Sequence, residues 1–129
     1  MNYERRNHRR LQVDLPIEYW PVGGLKSRPG RVVEIDEAGF QLSLREEIEI
    51  AQKLRISLLI DSGSEFMLIE PLVQVVWKET SSEGTFNHIR SGVRIIDIAA
   101  REFRILKGFL HILRSTKAST KAPIFLDLL

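Results

Sequence analysis

With 129 residues, 43% of them hydrophobic and 28% charged, the chain has the size and balance of a single globular domain that buries a core without staples. It contains no cysteine, which excludes disulfides, thiolate metal sites and a cysteine nucleophile. The net charge is +2, yet the first ten residues alone hold Arg5, Arg6, Arg9 and Arg10 against Glu4, so the positive charge is local rather than general. Such a cluster is either an anion site or a solvated chain end. His8, His88 and His111 are scattered without metal-ligand spacing. No stretch reaches the roughly 18–20 apolar residues of a membrane span, and the basic N-terminus lacks the apolar core of a secretory signal. A cytoplasmic location is therefore expected.

From Leu11 the pattern has period two. Leu11, Val13, Leu15, Ile17 and Tyr19 alternate with Gln12, Asp14 and Glu18, which predicts a half-buried strand. Pro16, on the outward parity, points to an edge or an unpaired N–H. A loop is expected from Gly23-Gly24 to Pro29-Gly30. A hairpin then follows, with strands over Arg31–Ile35 and Phe40–Leu44 and a turn near residues 36–39, where Gly39 is assigned a positive φ. Arg45–Gln52 reads as a short helical turn or a loop.

Leu54, Ile56, Leu58 and Ile60 form a fourth strand ending at Asp61-Ser62-Gly63-Ser64. A fifth opens with Phe66 and Leu68 on the core-facing parity and changes face after Pro71, where a bulge is expected. The polar loop Glu79–Asn87 leads to a sixth strand over Gly92–Ile96. Only then does the period lengthen. Phe103, Leu106, Leu110 and Leu113 recur at helical spacing, predicting a helix of about 15 residues, with Asp97 as its N-cap. Six short strands and one helix imply a small barrel or sandwich with the helix over one opening. Residues 1–10 then form a basic arm, 11–114 the folded unit and 115–129 a tail. The tail ends Ile124-Phe125-Leu126-Asp127-Leu128-Leu129, apolar enough to fold back on the core or dock on another chain, as in a homodimer.

Neither a phosphate-binding glycine loop nor a hydrolase or zinc-protease motif occurs. The carboxylate pairs Glu46-Glu47 and Glu34/Asp36 are tied to no pocket, so no catalytic residue, metal ligand or cofactor is assigned, and a binding module fits better than an enzyme. Three features carry a resemblance: Arg6-x-x-x-Arg10 just before Leu11-Gln12-Val13-Asp14-Leu15-Pro16, then Val33-Glu34-Ile35-Asp36-Glu37-Ala38-Gly39-Phe40, and finally Val75-Val76-Trp77 and Gly92-Val93-Arg94-Ile95 before the helix. Over residues 4–114 the chain resembles the PilZ domain family, the bacterial receptor module for cyclic di-GMP. The resemblance implies a mainly β fold, a six-stranded antiparallel Greek-key-type barrel with a C-terminal helix, and a role in second-messenger signalling such as motility or biofilm regulation.

It also implies a ligand site in which Arg6 and Arg10, supported by Arg5 and Arg9, face Glu34, Asp36 and Gly39. Arginine suits a cyclic dinucleotide, because its planar fork binds phosphate or a guanine edge and stacks on a base. The second family motif, Asp/Asn-x-Ser-x-x-Gly, is met only at Gly39. Glu34 lengthens the acceptor by one methylene. Asp36 replaces a hydroxyl with a carboxylate, at a cost to nucleotide affinity on the order of 1–3 kcal/mol. An ordinary acidic turn, with Asp36 capping backbone N–H groups, accounts for the same residues. Two functions follow. One is a cyclic di-GMP effector that orders its arm around the ligand and signals to a protein partner. The other is a degenerate adaptor that acts through protein contacts alone. Nonspecific nucleic-acid binding is not expected, since the remainder of the chain is slightly acidic and shows no interleaved aromatic platform.

Overall fold

The computed structural model describes residues 10–81 and 88–119. Seven strand segments precede one helix: β1 (Leu11–Pro21), β2 (Arg28–Ile35), β3 (Gly39–Leu44), β4 (Lys53–Asp61), β5 (Phe66–Ile69), β6 (Leu72–Ser81), β7 (His88–Asp97) and α1 (Ala100–Ser119). Neighbours run in the order β1-β2-β3-β7-β6-β4-β5, and β1 also pairs with β4. That last pairing, from Ile17 opposite Leu58 to Pro21 opposite Leu54, closes the sheet on itself. Closure removes the exposed edges that an open sheet would present.

β5 and β6 are two halves of one bent strand. Both lie on the same edge of β4, with β6 opposite Lys53–Arg55 and β5 opposite Leu58–Asp61. Between them Pro71 leaves the ladder, and its carbonyl still accepts the Ile56 N–H at 3.2 Å. Counted this way the barrel has six antiparallel strands, and Pro71 marks the expected bend.

The alternation in the sequence is realised in the packing. On β4, Leu54, Ile56, Leu58 and Ile60 are all fully buried, and Phe40, Leu42 and Leu44 on β3 face the same interior. α1 packs against β5, β4 and β1 and adds Leu106, Phe109, Leu110 and Leu113 to that core. Burying side chains of this size stabilises by about 1.5–3 kcal/mol each, so the helix is an integral wall of the barrel.

Four local expectations are corrected. β2 begins at Arg28, because Pro29 and Gly30 already pair with Glu18 and Ile17. A Cβ at Gly30 would sit 2.6 Å from the end of the Leu44 side chain, which would have to shift to admit it. On β5 the core residue is Ile69, whereas Phe66 and Leu68 face outward, 69% and 50% exposed. Asp97 is the last residue of β7, and the first helical bond runs from Phe103 N–H to the Ala99 carbonyl; Ala99 therefore occupies the cap position. The helix spans 20 residues and continues to Ser119. Arg45–Gln52 takes the loop form, one of the two expected.

Pro16 sits where the sheet needs a strand without a donor. β1 pairs with β4 only from Ile17 onward, so Pro16 faces a position where no β4 acceptor is offered. Beyond that point the ends of β4 and β5 continue as a two-stranded hairpin past the ring. Among the described residues, no helix is long and apolar enough to cross a membrane.

Candidate ligand-binding face

Cross-strand register places the two sequence motifs side by side. Gln12 lies opposite Glu34, Glu34 opposite Gln41, Gln41 opposite Gly92, and Gly92 opposite Trp77. Residues directly opposite share a face of the sheet, so these five form one strip around the outside of the barrel. It runs from the strand that follows the arm to Trp77 on β6.

Arg10 stands at the head of this strip. Its Nε lies 3.5 Å from Asp36 Oδ2 and its Nη1 3.7 Å from Glu34 Oε1. Glu34 is steadied from the other side, accepting 2.8 Å from Gln12 Nε2. Of the seven residues expected to bind ligand, Arg10, Glu34, Asp36 and Gly39 are thus brought together; Arg5, Arg6 and Arg9 lie outside the described residues.

The turn from β2 to β3 is built by Asp36. Its Oδ1 accepts the N–H groups of Ala38 at 2.8 Å and Gly39 at 2.9 Å, while its own N–H donates to the Gly39 carbonyl at 3.1 Å. The residue is only 1% exposed. One carboxylate oxygen therefore caps the turn and the other faces Arg10, the arrangement that a buried anion requires. A serine hydroxyl at this place has acceptor capacity for the same N–H groups, but it carries no charge for Arg10.

Gly39 serves this turn differently from expectation. Positive φ occurs at Gly23, Gly63 and Ala51, not at Gly39. What demands glycine is β7: a Cβ would overlap the Val93 carbonyl oxygen and lie 2.9 Å from Arg94 Cα. The turn is pinned further by the Ile95 N–H, which donates to Ala38 at 2.8 Å. From the helix, Arg114 donates to both oxygens of Glu37 at 3.2 and 3.3 Å. Arm, turn and helix therefore meet at Asp36–Glu37.

Three residues of the face were missed as site candidates in the sequence. Trp77 lies so close over Gly92 that a Cβ there would overlap the indole, with Cδ1 at 2.7 Å. Arg90 and Arg94 flank Gly92 along β7. Arg90 Nη1 donates to Gln41 Oε1 at 2.6 Å and Arg94 Nη2 to Gln74 Oε1 at 2.9 Å. The available signal was the alternation through Arg90, Gly92 and Arg94, which puts all three on one face. Chemically the face offers one indole, three guanidinium groups and an acidic pair.

The described residues thus form a closed antiparallel barrel with Arg10 at the edge of its outer face. The family model described as "PilZ domain" matches residues 4–111, and the chain belongs to that family. Among solved structures it is similar to the Bacillus subtilis inhibitor of motility MotI/DgrA, with TM-score 0.73 and 15% identity over 91% of this chain and 54% of that one. MrkH of K. pneumonia in its apo state gives TM-score 0.72 and 13% identity over 91% of this chain and 55% of that one. The PilZ domain of Escherichia coli YcgR, solved with c-di-GMP, gives TM-score 0.64 and 12% identity over 86% of this chain and 92% of that domain. This chain thus spans about half the length of MotI and MrkH. No curated protein matches it.

Proposed function

We propose that this chain is a cyclic di-GMP effector whose arginine arm closes over a nucleotide lying along the strip from Glu34 to Trp77. The observation that carries the reading is the position of Arg10. The last arginine of the first motif stands against both acidic residues of the second, as a shared site requires. Membership of the family and the c-di-GMP held by the YcgR domain support the ligand class.

In this reading Arg10 keeps its Asp36 partner and offers its remaining N–H groups to phosphate, since a guanidinium carries five donors. Glu34 accepts from the N1–H and amino group of a guanine. The Trp77 indole provides a face for stacking, and Arg90 and Arg94 supply charge on either side of it. Arg6 joins Arg10 when the arm orders on binding, and the ordered arm presents a changed surface to a protein partner.

A second reading is favoured by Asp36 itself. Its burial and its contact with Arg10 already neutralise the acidic wall from within the chain. In that case the fold serves as an adaptor that needs no nucleotide.

Thermal unfolding with and without cyclic di-GMP separates the two. Ligand at 100 times its dissociation constant adds about 2.7 kcal/mol, which for a chain of this size raises the melting temperature by roughly 8–12 °C. The effector reading predicts such a rise in the native chain and its loss in Arg10→Ala. Unchanged melting at about 100 μM ligand would leave the adaptor reading standing.

A further inference from the structure

The hairpin formed by the ends of β4 and β5 is apolar on both faces. Its inner face carries Ile60 and Ile69, fully buried, on the side where α1 packs. Its outer face carries Leu59 and Leu68, which lie opposite one another, and Phe66 two positions along. These three are 54%, 50% and 69% exposed. β1 runs beside β4 only as far as Ile17 opposite Leu58, so the hairpin projects past the ring at this point. A sheet apolar on both faces is stable in water only when both are covered, and a contiguous exposed cluster marks a docking surface.

We infer that the outer face of this hairpin is the docking site for the chain's own tail, residues 124–129. Three observations select that occupant. The segment Ile124-Phe125-Leu126-Asp127-Leu128-Leu129 supplies five large apolar side chains and one charge, the composition the face lacks. The helix leading to it passes the tip of the same hairpin: Ile112 Cδ1 lies 3.2 Å from the place a Cβ of Gly63 would take. Ile112 is itself 36% exposed, so an apolar path leads from α1 around the tip to Phe66. Reach is the third. Ser119 lies about 10 Å along the helix from Ile112, and residues 120–123 span up to about 14 Å, enough to return to the tip, from which an extended 124–129 of up to about 20 Å reaches Phe66 and Leu68. The inference is independent of nucleotide binding.

The absence of cysteine from the chain allows a direct test in the whole 129-residue chain. A Leu59→Cys, Leu126→Cys pair is oxidised mildly beside a control pair, Leu25→Cys with Leu126→Cys. Leu25 is 100% exposed in the β1–β2 loop, whose Val22 bonds to Lys53 at the far end of β4. Docking within the chain predicts an intramolecular disulfide in the first pair, forming at least about tenfold faster than in the control because docking raises the effective concentration. Amide exchange gives a second readout: removing residues 120–129 is expected to speed exchange across residues 59–69 about tenfold while leaving β2 and β3 unchanged. Equal closure rates in the two pairs, or exchange indifferent to the truncation, would overturn the inference. Cross-linked dimers instead of closed monomers would overturn it too, in favour of a second copy as the occupant.

Discussion

Two turns of this barrel use the same local chemistry and end in opposite circumstances. In the β2–β3 turn, Asp36 caps the N–H groups of Ala38 and Gly39; in the β4–β5 turn, Asp61 Oδ1 accepts the N–H of Gly63 at 2.9 Å. Aspartate suits both for the same reason, since its short side chain reaches the backbone two or three residues on. The first turn is buried against β7, paired with Arg10 and clamped to α1 through Glu37 and Arg114. The second stands in solvent, closed by Ser62 and Glu65. What distinguishes them is tertiary: only the first lies where the arm, the sheet and the helix converge.

The glycines give the largest expected contrast. Gly39 has ordinary φ but meets the β7 backbone, whereas Gly63 has φ +102° and would meet only the end of the Ile112 side chain, at 3.2 Å. Gly39→Ala is therefore expected to cost about 3 kcal/mol or more through backbone overlap with β7, and Gly63→Ala about 1–2 kcal/mol, mainly through backbone strain, since the end of the Ile112 side chain can shift. Urea denaturation of the two variants orders them. The reverse order would mean that the β2–β3 turn yields more readily than its packing implies.

The aspartates come next. Asp36→Ala strands the buried Gly39 N–H, frees the part-buried Ala38 N–H and removes one carboxylate from Arg10, at an expected cost of about 2–3 kcal/mol. Asp61→Ala gives up one exposed bond, at about 0.5–1 kcal/mol. Arg114→Ala, which breaks a partly exposed bidentate pair to Glu37, is expected to lose only about 0.5–1 kcal/mol. A loss as large as that of Asp36→Ala would assign the turn's rigidity to the helix rather than to the cap.

The difference between the turns also explains how far the sequence could be read. The strands were legible because the buried positions of β1, β3 and β4 alternate without interruption, and the helix because Phe103, Leu106, Leu110 and Leu113 keep a different period. The place of Arg10 beside Glu34 and Asp36 was legible because Arg10 directly precedes a strand. Alternation alone does not say which face of a strand looks inward. On β5 the apolar residues Phe66 and Leu68 had the more conspicuous pattern, yet Ile69 fills the core. Gly39 was noticed for the wrong reason, since close approach to β7 comes from a strand more than fifty residues away. The pairing of Trp77 with Gly92 is non-local in the same sense. The caution about Asp36 in the sequence concerned its charge. The structure shows where that charge goes: into two backbone N–H groups and one guanidinium.

An amide-resolved NMR titration of the 129-residue chain with cyclic di-GMP tests the central claim most directly. Shifts are predicted to concentrate at residues 34–41 and 90–94 and at the Trp77 indole, with the β4–β5 turn from Asp61 to Phe66 unmoved. Saturation is expected at micromolar ligand and its loss in Arg10→Ala. Spectra unchanged at several hundred micromolar ligand, or shifts centred on the β4–β5 turn, would contradict the account.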